Sequence, residues 1–576
     1  MNNPAAVLRI RILSAGIFLF ALVLAGKLYA VQIIDGGFWA EKADRQYARS
    51  DTTLFDRGTI YFTSKDGTTV SAATLKTGFT LAVDPQRVEN AGALYEKVRP
   101  FITLSRDEFI QKATREGARY VEIATQVPSE VALQVEALSE GSIIVAKNRW
   151  RFYPGGSLAA HSLGFLAYKG DEYAGRYGLE RYYEEILARN RGEEYVNFFA
   201  EIFSNIKDTV ANGGPLEGDV VTTIEPVVQG MLEEKIAEIN DTWSSKFTGG
   251  VIMDPKTGEI YALALHPAFD LNNFSDVTDI ARFSNPMVEN VYEMGSIIKP
   301  LTMAAGLDSG AVTARTTYND AGCMTLNSAR FCNYDGEARG VVSMQEVLKQ
   351  SLNTGVTFVV QQMGKNQFAD YMKNFGIGVE TGIDLPNETH GLIKNLESPR
   401  EIEYATASFG QGVAITPIAT VRALSALGNG GVLPSPHLVK EIRYRVGGTK
   451  EVSYPPGKQV IKPETSEEIS RMLTEVVDKA LLGGTIAMEG YSIAAKTGTA
   501  QIANPNGGGY YDDRYLHSFF GYFPSYDPKF IVFLFTVEPV GVRYASETLA
   551  VPFGDITKYL IGYYAIPPDR GKTSLE

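Results

Sequence analysis

Hydrophobic and polar positions change their spacing several times along this chain, and each change marks an element or a boundary. Residues 12–34 read "ILSAGIFLFALVLAGKLYAVQII", apolar but for Lys27, and are long enough to cross a hydrocarbon core as a helix. Arg9 and Arg11 precede the run and Asp35 follows it, a charge order that directs a short tail to the cytoplasm and the bulk of the chain outside. Ending the run at Gly26 would suit a cleavable signal peptide instead, whereas the lack of a clear small-x-small site between Ala25 and Gln32 favours an uncleaved anchor. Beyond it, short alternating stretches such as 77–84 mix with charged helical ones such as 129–140. At 216–240 the pattern sharpens into a strand, Pro226 at a helix start and a long amphipathic helix, which predicts a domain boundary. Residues 247–267 hold two apolar runs around "DPKTGE", the pattern of a hairpin. Helical stretches follow from about 300 to 374, and "SIAAKTGTAQIA" and "LHSFFGYFP" read as adjacent strands. Helices flanked by strands at both ends predict an α+β or α/β domain built on an antiparallel sheet.

Composition narrows the function classes. A chain of 576 residues has room for several domains, and its net charge of −13 is spread without basic stripes, which excludes a nucleic-acid footprint. Five histidines lie scattered without ligand spacing and there are two cysteines, Cys323 and Cys332; neither a metal site nor a disulfide-built scaffold is expected, and no cofactor.

The candidate chemistry begins with "VYEMGSIIKPLTMAAGL", where Ser296 and Lys299 stand three residues apart at a predicted helix start. A serine nucleophile needs a base within hydrogen-bond reach, and residues i and i+3 share a helix face. Apolar Ile297, Ile298 and Pro300 would desolvate the Lys299 amine and lower its pKa toward that of a base, while a helix start offers N–H groups to an oxyanion. An ordinary amphipathic helix can carry the same quartet, so the reading depends on further parts. Two are present: "KQSLNTG" with Ser351 and Asn353, and "AAKTGTAQ" with Lys496, Thr497, Gly498 and Thr499 on a predicted strand.

Ser-x-x-Lys, Ser-x-Asn and Lys-Thr-Gly in this order resemble the signature of penicillin-binding proteins and serine β-lactamases. With "DRGTIYFTSKDG", "RFYPGGSLAAHSLGF", "RYGLERYYEEIL" and "SFGQGVAITP", nearly the whole chain is similar to the class B penicillin-binding proteins, the D,D-transpeptidases that cross-link peptidoglycan. The first of these segments departs from the family pattern at Phe62 and Thr63, and "SFGQGVAITP" reads locally as a turn, then Thr416 as N-cap and Pro417 at the first helical position. The resemblance implies a cytoplasmic tail (1–11), a transmembrane anchor (12–34), a noncatalytic extracytoplasmic pedestal (35–217), a transpeptidase domain (218–565) and a tail (566–576). It further implies stem peptides ending in D-Ala–D-Ala as substrates, β-lactams as inhibitors, and a polytopic glycosyltransferase with other divisome or elongasome proteins as partners at the cytoplasmic membrane. By the same resemblance Ser296 is the nucleophile, Lys299 its base, Ser351 a proton relay, Asn353 a contact to the substrate amide and Lys496 a source of positive potential. Thr497 and Thr499 would hold the terminal carboxylate, the backbone amides of Ser296 and Thr499 would form the oxyanion hole, and Gly498 would keep the strand open to substrate. A D,D-carboxypeptidase and a noncatalytic penicillin-fold scaffold stand as alternatives. Cys323 and Cys332, flanked by Gly and Asn, are expected to close a hairpin-like loop by a disulfide in an oxidising compartment; two buried free thiols are the alternative.

Overall fold

The computed structural model describes residues 54–170, 172–189, 217–445, 448–504 and 507–571. They fall into two compact units, one centred on residues 76–150 and the other combining 57–75 with the chain from Arg151 onward.

In the smaller unit the end of the strand Thr69–Val83 pairs antiparallel with Val121–Val127. Helices Ala91–Val98 and Arg106–Ala113 bury Leu94, Val98 and Phe109 among Leu81, Val83 and Ile123. The second helix starts where Ser105 and Glu108 cap one another reciprocally, each satisfying a donor that the helix end would leave orphaned.

The larger unit is organised by helices and strands labelled here in chain order. Helix α1 (Pro226–Trp243) starts at Pro226 and precedes the hairpin of β1 (Phe247–Met253) and β2 (Ile260–His266). Then come α2 (Lys299–Asp308), the small hairpin β3 (Cys323–Leu326) and β4 (Ala329–Cys332), α3 (Asn353–Met363), α4 (Pro417–Ser425) and α5 (Pro463–Lys479). Strands β5 (Ala494–Ala503), β6 (Tyr510–Phe523) and β7 (Phe530–Val537) and helix α6 (Ala545–Tyr564) complete it. The antiparallel sheet runs β5-β6-β7-β1-β2, so chain-distant segments join at β7 and β1. Every residue of β7 is buried because both sheet faces are covered, which replaces alternation with a continuous apolar run. Ile252, Val532, Leu534 and Phe519 belong to the core containing α1 and α6 residues, while Val251, Ile531, Phe533 and Phe535 belong to the core shared with the helical region. β5 is left as an edge strand.

Away from the sheet, the larger unit contains a buried ion cluster. Arg57 Nε lies 2.7 Å from Glu180 Oε2, its Nη2 2.7 Å from Glu184 Oε2, and Arg151 Nε 2.5 Å from Glu180 Oε1. Arg57 and Arg151 also donate to the carbonyls of Glu180 and Gly58.

The α+β expectation, with a pedestal preceding a domain built on an antiparallel sheet, agrees with this architecture. The membrane-spanning helix is corrected: among the described residues no helix is long and apolar enough to cross a membrane, and residues 12–34, where it was expected, lie outside them. The two longest described helices carry the reason in their sequence. α1 contains Glu233, Glu234, Lys235, Glu238 and Asp241, and α6 contains Glu547, Asp555 and Lys558; each presents an apolar stripe to protein and charge to the opposite side. The membrane as a partner through that helix and the single-pass location are withdrawn with it.

Candidate active site

Ser296 and Lys299 stand one turn apart, as the spacing predicted, but the turn is 3₁₀, with the Lys299 N–H bonded to Ser296 O. Ser296 lies in a 3₁₀ turn, Gly295–Ile298, and Lys299 is the first residue of α2, with Pro300 in the first turn, where its missing N–H leaves no bond unmade. Gly295 adopts φ +64°, and a Cβ there would lie 2.9 Å from the Thr499 carbonyl oxygen, so only glycine allows the serine segment to rest against β5. Its amide donates to Gly410 O at 3.1 Å. Gly410 is also at positive φ, and a Cβ on it would stand 2.2 Å from Gly295 O. The "SFGQG" segment, read from sequence only as a turn, is therefore a wall against the serine backbone. Thr302 Oγ1 donating to Ser408 O at 2.8 Å and Gly412 N donating to Glu293 Oε1 at 2.9 Å fasten it there. Consecutive glycines flanking one residue were the available signal. Thr416 caps α4 and Pro417 opens it, as expected.

Ser351 owes its position to the end of a short helix, Met344–Lys349. Its N–H bonds to Leu348 O and the next amide, Leu352, to Val347 O, the paired closure of a Schellman motif. That closure puts Ser351 at φ 55°, a left-handed conformation that glycine usually supplies and that costs a side-chain-bearing residue about 1–2 kcal/mol. There Lys299 Nζ donates to both Ser351 O (2.5 Å) and Ser351 Oγ (3.1 Å). Asn353 begins α3, and its Nδ2 donates to Cys332 O at 2.8 Å. Cys332 and Cys323 are cross-strand partners in the β3–β4 hairpin and are joined by a disulfide.

On the opposite wall, Lys496 in β5 is buried and its Nζ donates to Thr497 O at 3.1 Å. Gly498 has a packing reason of its own. A Cβ there would meet Ser518 Oγ at 2.3 Å and Met294 O at 2.7 Å, so glycine admits the serine segment to the strand. Ser518 Oγ donates to Met294 O at 2.9 Å, across the same contact. The Thr499 hydroxyl accepts from Ala545 N at 3.1 Å, at the start of α6.

These residues converge on a cavity of about 690 Å³ lined by Ser296, Lys299, Ser351, Asn353, Lys496, Thr497 and Thr499. Its lining includes four basic side chains (Lys299, Lys349, Lys496 and Arg543) and not one carboxylate. Burial, and then the charge of Lys496, hold the Lys299 amine well below the usual lysine range, and burial pushes Lys496 down to about 8. With no carboxylate to neutralise it, a desolvated ammonium sheds its proton and becomes a base.

A buried amine beside a serine, a second lysine on a sheet edge and a wall of glycines fit acyl transfer. The model of the penicillin binding protein transpeptidase domain matches residues 248–558, more than half of the chain, and that of the penicillin-binding protein dimerisation domain matches residues 54–223. The chain belongs to the class B penicillin-binding proteins. Among similar proteins, stage V sporulation protein D of Bacillus subtilis is 30% identical over 570 residues, which cover 97% of this chain and 86% of that protein. The peptidoglycan D,D-transpeptidase FtsI of Escherichia coli is 25% identical over 574 residues, 97% of this chain and 92% of its own. The crystal structure of apo penicillin binding protein 3 from Mycobacterium tuberculosis covers 74% of this chain and 94% of its own, with 26% identity and a TM-score of 0.64. As a class B penicillin-binding protein the chain is a serine-type D,D-transpeptidase. It cross-links peptidoglycan through an acyl-enzyme and is a β-lactam target.

Proposed function

We propose that Ser296 carries the acyl group in this cross-linking and that the uncompensated burial of Lys299 makes it the base. The Ser296 hydroxyl attacks the carbonyl between the two D-alanines of a stem peptide and its proton passes to Lys299. The tetrahedral intermediate collapses with release of D-alanine, whose amine takes up the proton held by Lys299. An amine of a second stem then attacks the ester and gives a proton to Lys299, and Ser296 leaves and regains that proton. Ser351, bonded to Lys299 through its hydroxyl, is the route by which the first proton reaches the leaving D-alanine amine. Asn353, whose Nδ2 is engaged by Cys332 O, offers its carbonyl oxygen to a substrate N–H. Lys496, Thr497 and Thr499 hold the terminal carboxylate, consistent with a cleft lined by basic side chains and free of carboxylates. The amides of Ser296 and Thr499 form the oxyanion hole; the close approach of Gly295 to Thr499 supports the pairing, and such a donor typically contributes about 2.7–4 kcal/mol. We propose further that a noncatalytic pedestal, 35–217, precedes a transpeptidase domain, 218–565, which fits the spans of the two family models.

The observation that carries the proposal is the pair of bonds from a fully buried Lys299 amine to Ser351, with no acidic partner in the cleft. Intact-mass analysis and peptide mapping after exposure to benzylpenicillin test it: one adduct on Ser296, absent from Ser296→Ala, is expected. An adduct on another residue, or undiminished labelling of Ser296→Ala, would refute it.

A further inference from the structure

We propose that Tyr334 and Tyr544 form an aromatic gate across the mouth of the cleft and select ligands by the bulk of the group beside the reacting carbonyl. The inference rests on the acyl-transfer reading of the site and adds a specificity element to it. Both tyrosines line the cavity that holds Ser296, yet they belong to opposite walls. Tyr334 follows the β3–β4 hairpin on the side of Ser351 and Asn353. Tyr544 immediately precedes α6, on the side of Lys496 and Thr499. Their rings meet edge to face, centroids 6.1 Å apart at 85°, the arrangement aromatic quadrupoles prefer.

Each ring stands on a fixed base. Asn333, next to Tyr334, accepts from the Thr354 amide and hydroxyl of α3 and donates to Asp320. Ala545, next to Tyr544, donates its amide to Thr499 Oγ1. The Arg339 guanidinium lies 5.9 Å from the centre of the Tyr334 ring and that of Arg543 5.5 Å from the Tyr544 ring. A cation beside each ring favours its present orientation. Both side chains are exposed, so either can turn outward without unpacking a core. The result is two rigid walls bridged by one weak contact. An extended, narrow chain lying along the edge strand β5 can pass beneath it, whereas a branched group must separate the rings.

The test compares second-order acylation constants for benzylpenicillin and piperacillin, which share a nucleus and differ in side-chain bulk, in the parent, Tyr334→Ala, Tyr544→Ala and Tyr334→Phe. The ratio of piperacillin to benzylpenicillin constants should rise about two- to tenfold in either alanine variant, the range set by one aromatic pair. It should stay at the parental value in Tyr334→Phe, which keeps the ring and loses only the hydroxyl. Melting temperatures confirm that all four proteins are folded. An unchanged or lowered ratio in both alanine variants would overturn the gate while leaving acylation of Ser296 standing. A parent protein that neither penicillin acylates would overturn the serine reading, and the gate with it.

Discussion

Two places in the larger unit bury cations, and they treat them oppositely. Arg57 and Arg151 are enclosed with Glu180 and Glu184 at 2.5–2.7 Å. Burial opposes the Arg57 charge, but the two carboxylates outweigh it and raise its pKa above the ordinary value. Lys299 and Lys496 are equally enclosed and have hydroxyl and carbonyl oxygens beside them but no carboxylate; their pKa values fall. The same desolvation therefore gives a fixed charge where carboxylates answer it and a reactive amine where none does. Structure and chemistry are separated here by the company a cation keeps.

Substitutions can break the contrast from either side. Lys299→Met keeps volume and removes the amine, so acylation by benzylpenicillin should fall about 10²–10⁴-fold. Its stability should move the other way. Below the ordinary lysine pKa the unfolded parent binds a proton that the folded parent refuses, so the parent loses stability as pH falls toward the lowered folded pKa of Lys299. At neutral pH Lys299→Met should melt no lower than the parent, and its advantage should shrink as pH rises toward the unfolded value. A variant that melts well below the parent would show that the amine stabilises the fold. Glu180→Gln is the mirror experiment. It leaves two buried guanidinium groups short of a counter-charge and should cost about 3–5 kcal/mol in denaturant unfolding, with acylation per folded molecule retained; a loss under 1 kcal/mol would mean the cluster does not depend on that charge.

A smaller effect sharpens the contrast within the cleft, where backbone approach rather than charge sets geometry. In Gly498→Ala the added methyl collides with Ser518 Oγ and Met294 O, and overpacking of this kind costs about 1–3 kcal/mol. The acylation rate per folded molecule should also drop, because the collision displaces the segment that carries Ser296. Unchanged stability and rate would show that the strand yields freely at that point.

What the sequence disclosed follows the range of each signal. The β1–β2 hairpin, the start of α1 at Pro226 and the β5–β6 pairing rest on local alternation and turn residues, and they are present. So is the α4 cap at Thr416. The joining of β7 to β1 was not legible, because a run buried on both faces carries no alternation to place it. Ser296, Lys299, Ser351, Asn353 and Lys496 could be picked out by order, and they line one cavity. Gly410, Glu293 and Ser518 were missed because their work is to hold backbone carbonyls and amides, for which residue identity gives little warning. Tyr334 and Tyr544 belong to no motif; only folding brings them together. The apolar run at 12–34 lies outside the described residues, among which no helix is long and apolar enough to cross a membrane.

The measurement that most directly tests an uncharged, buried Lys299 as the base is the pH dependence of the second-order acylation constant for benzylpenicillin. Lys299 must be neutral to accept the serine proton, so the constant should climb as pH rises through its lowered pKa and level off well short of the ordinary lysine value. Lys496 must be protonated to attract the carboxylate, so the constant should fall again as pH passes about 8. A bell whose descending limb lies near that pH is the expected result. A constant still rising tenfold per pH unit up to pH of about 10, where an unperturbed lysine loses its proton, would contradict it.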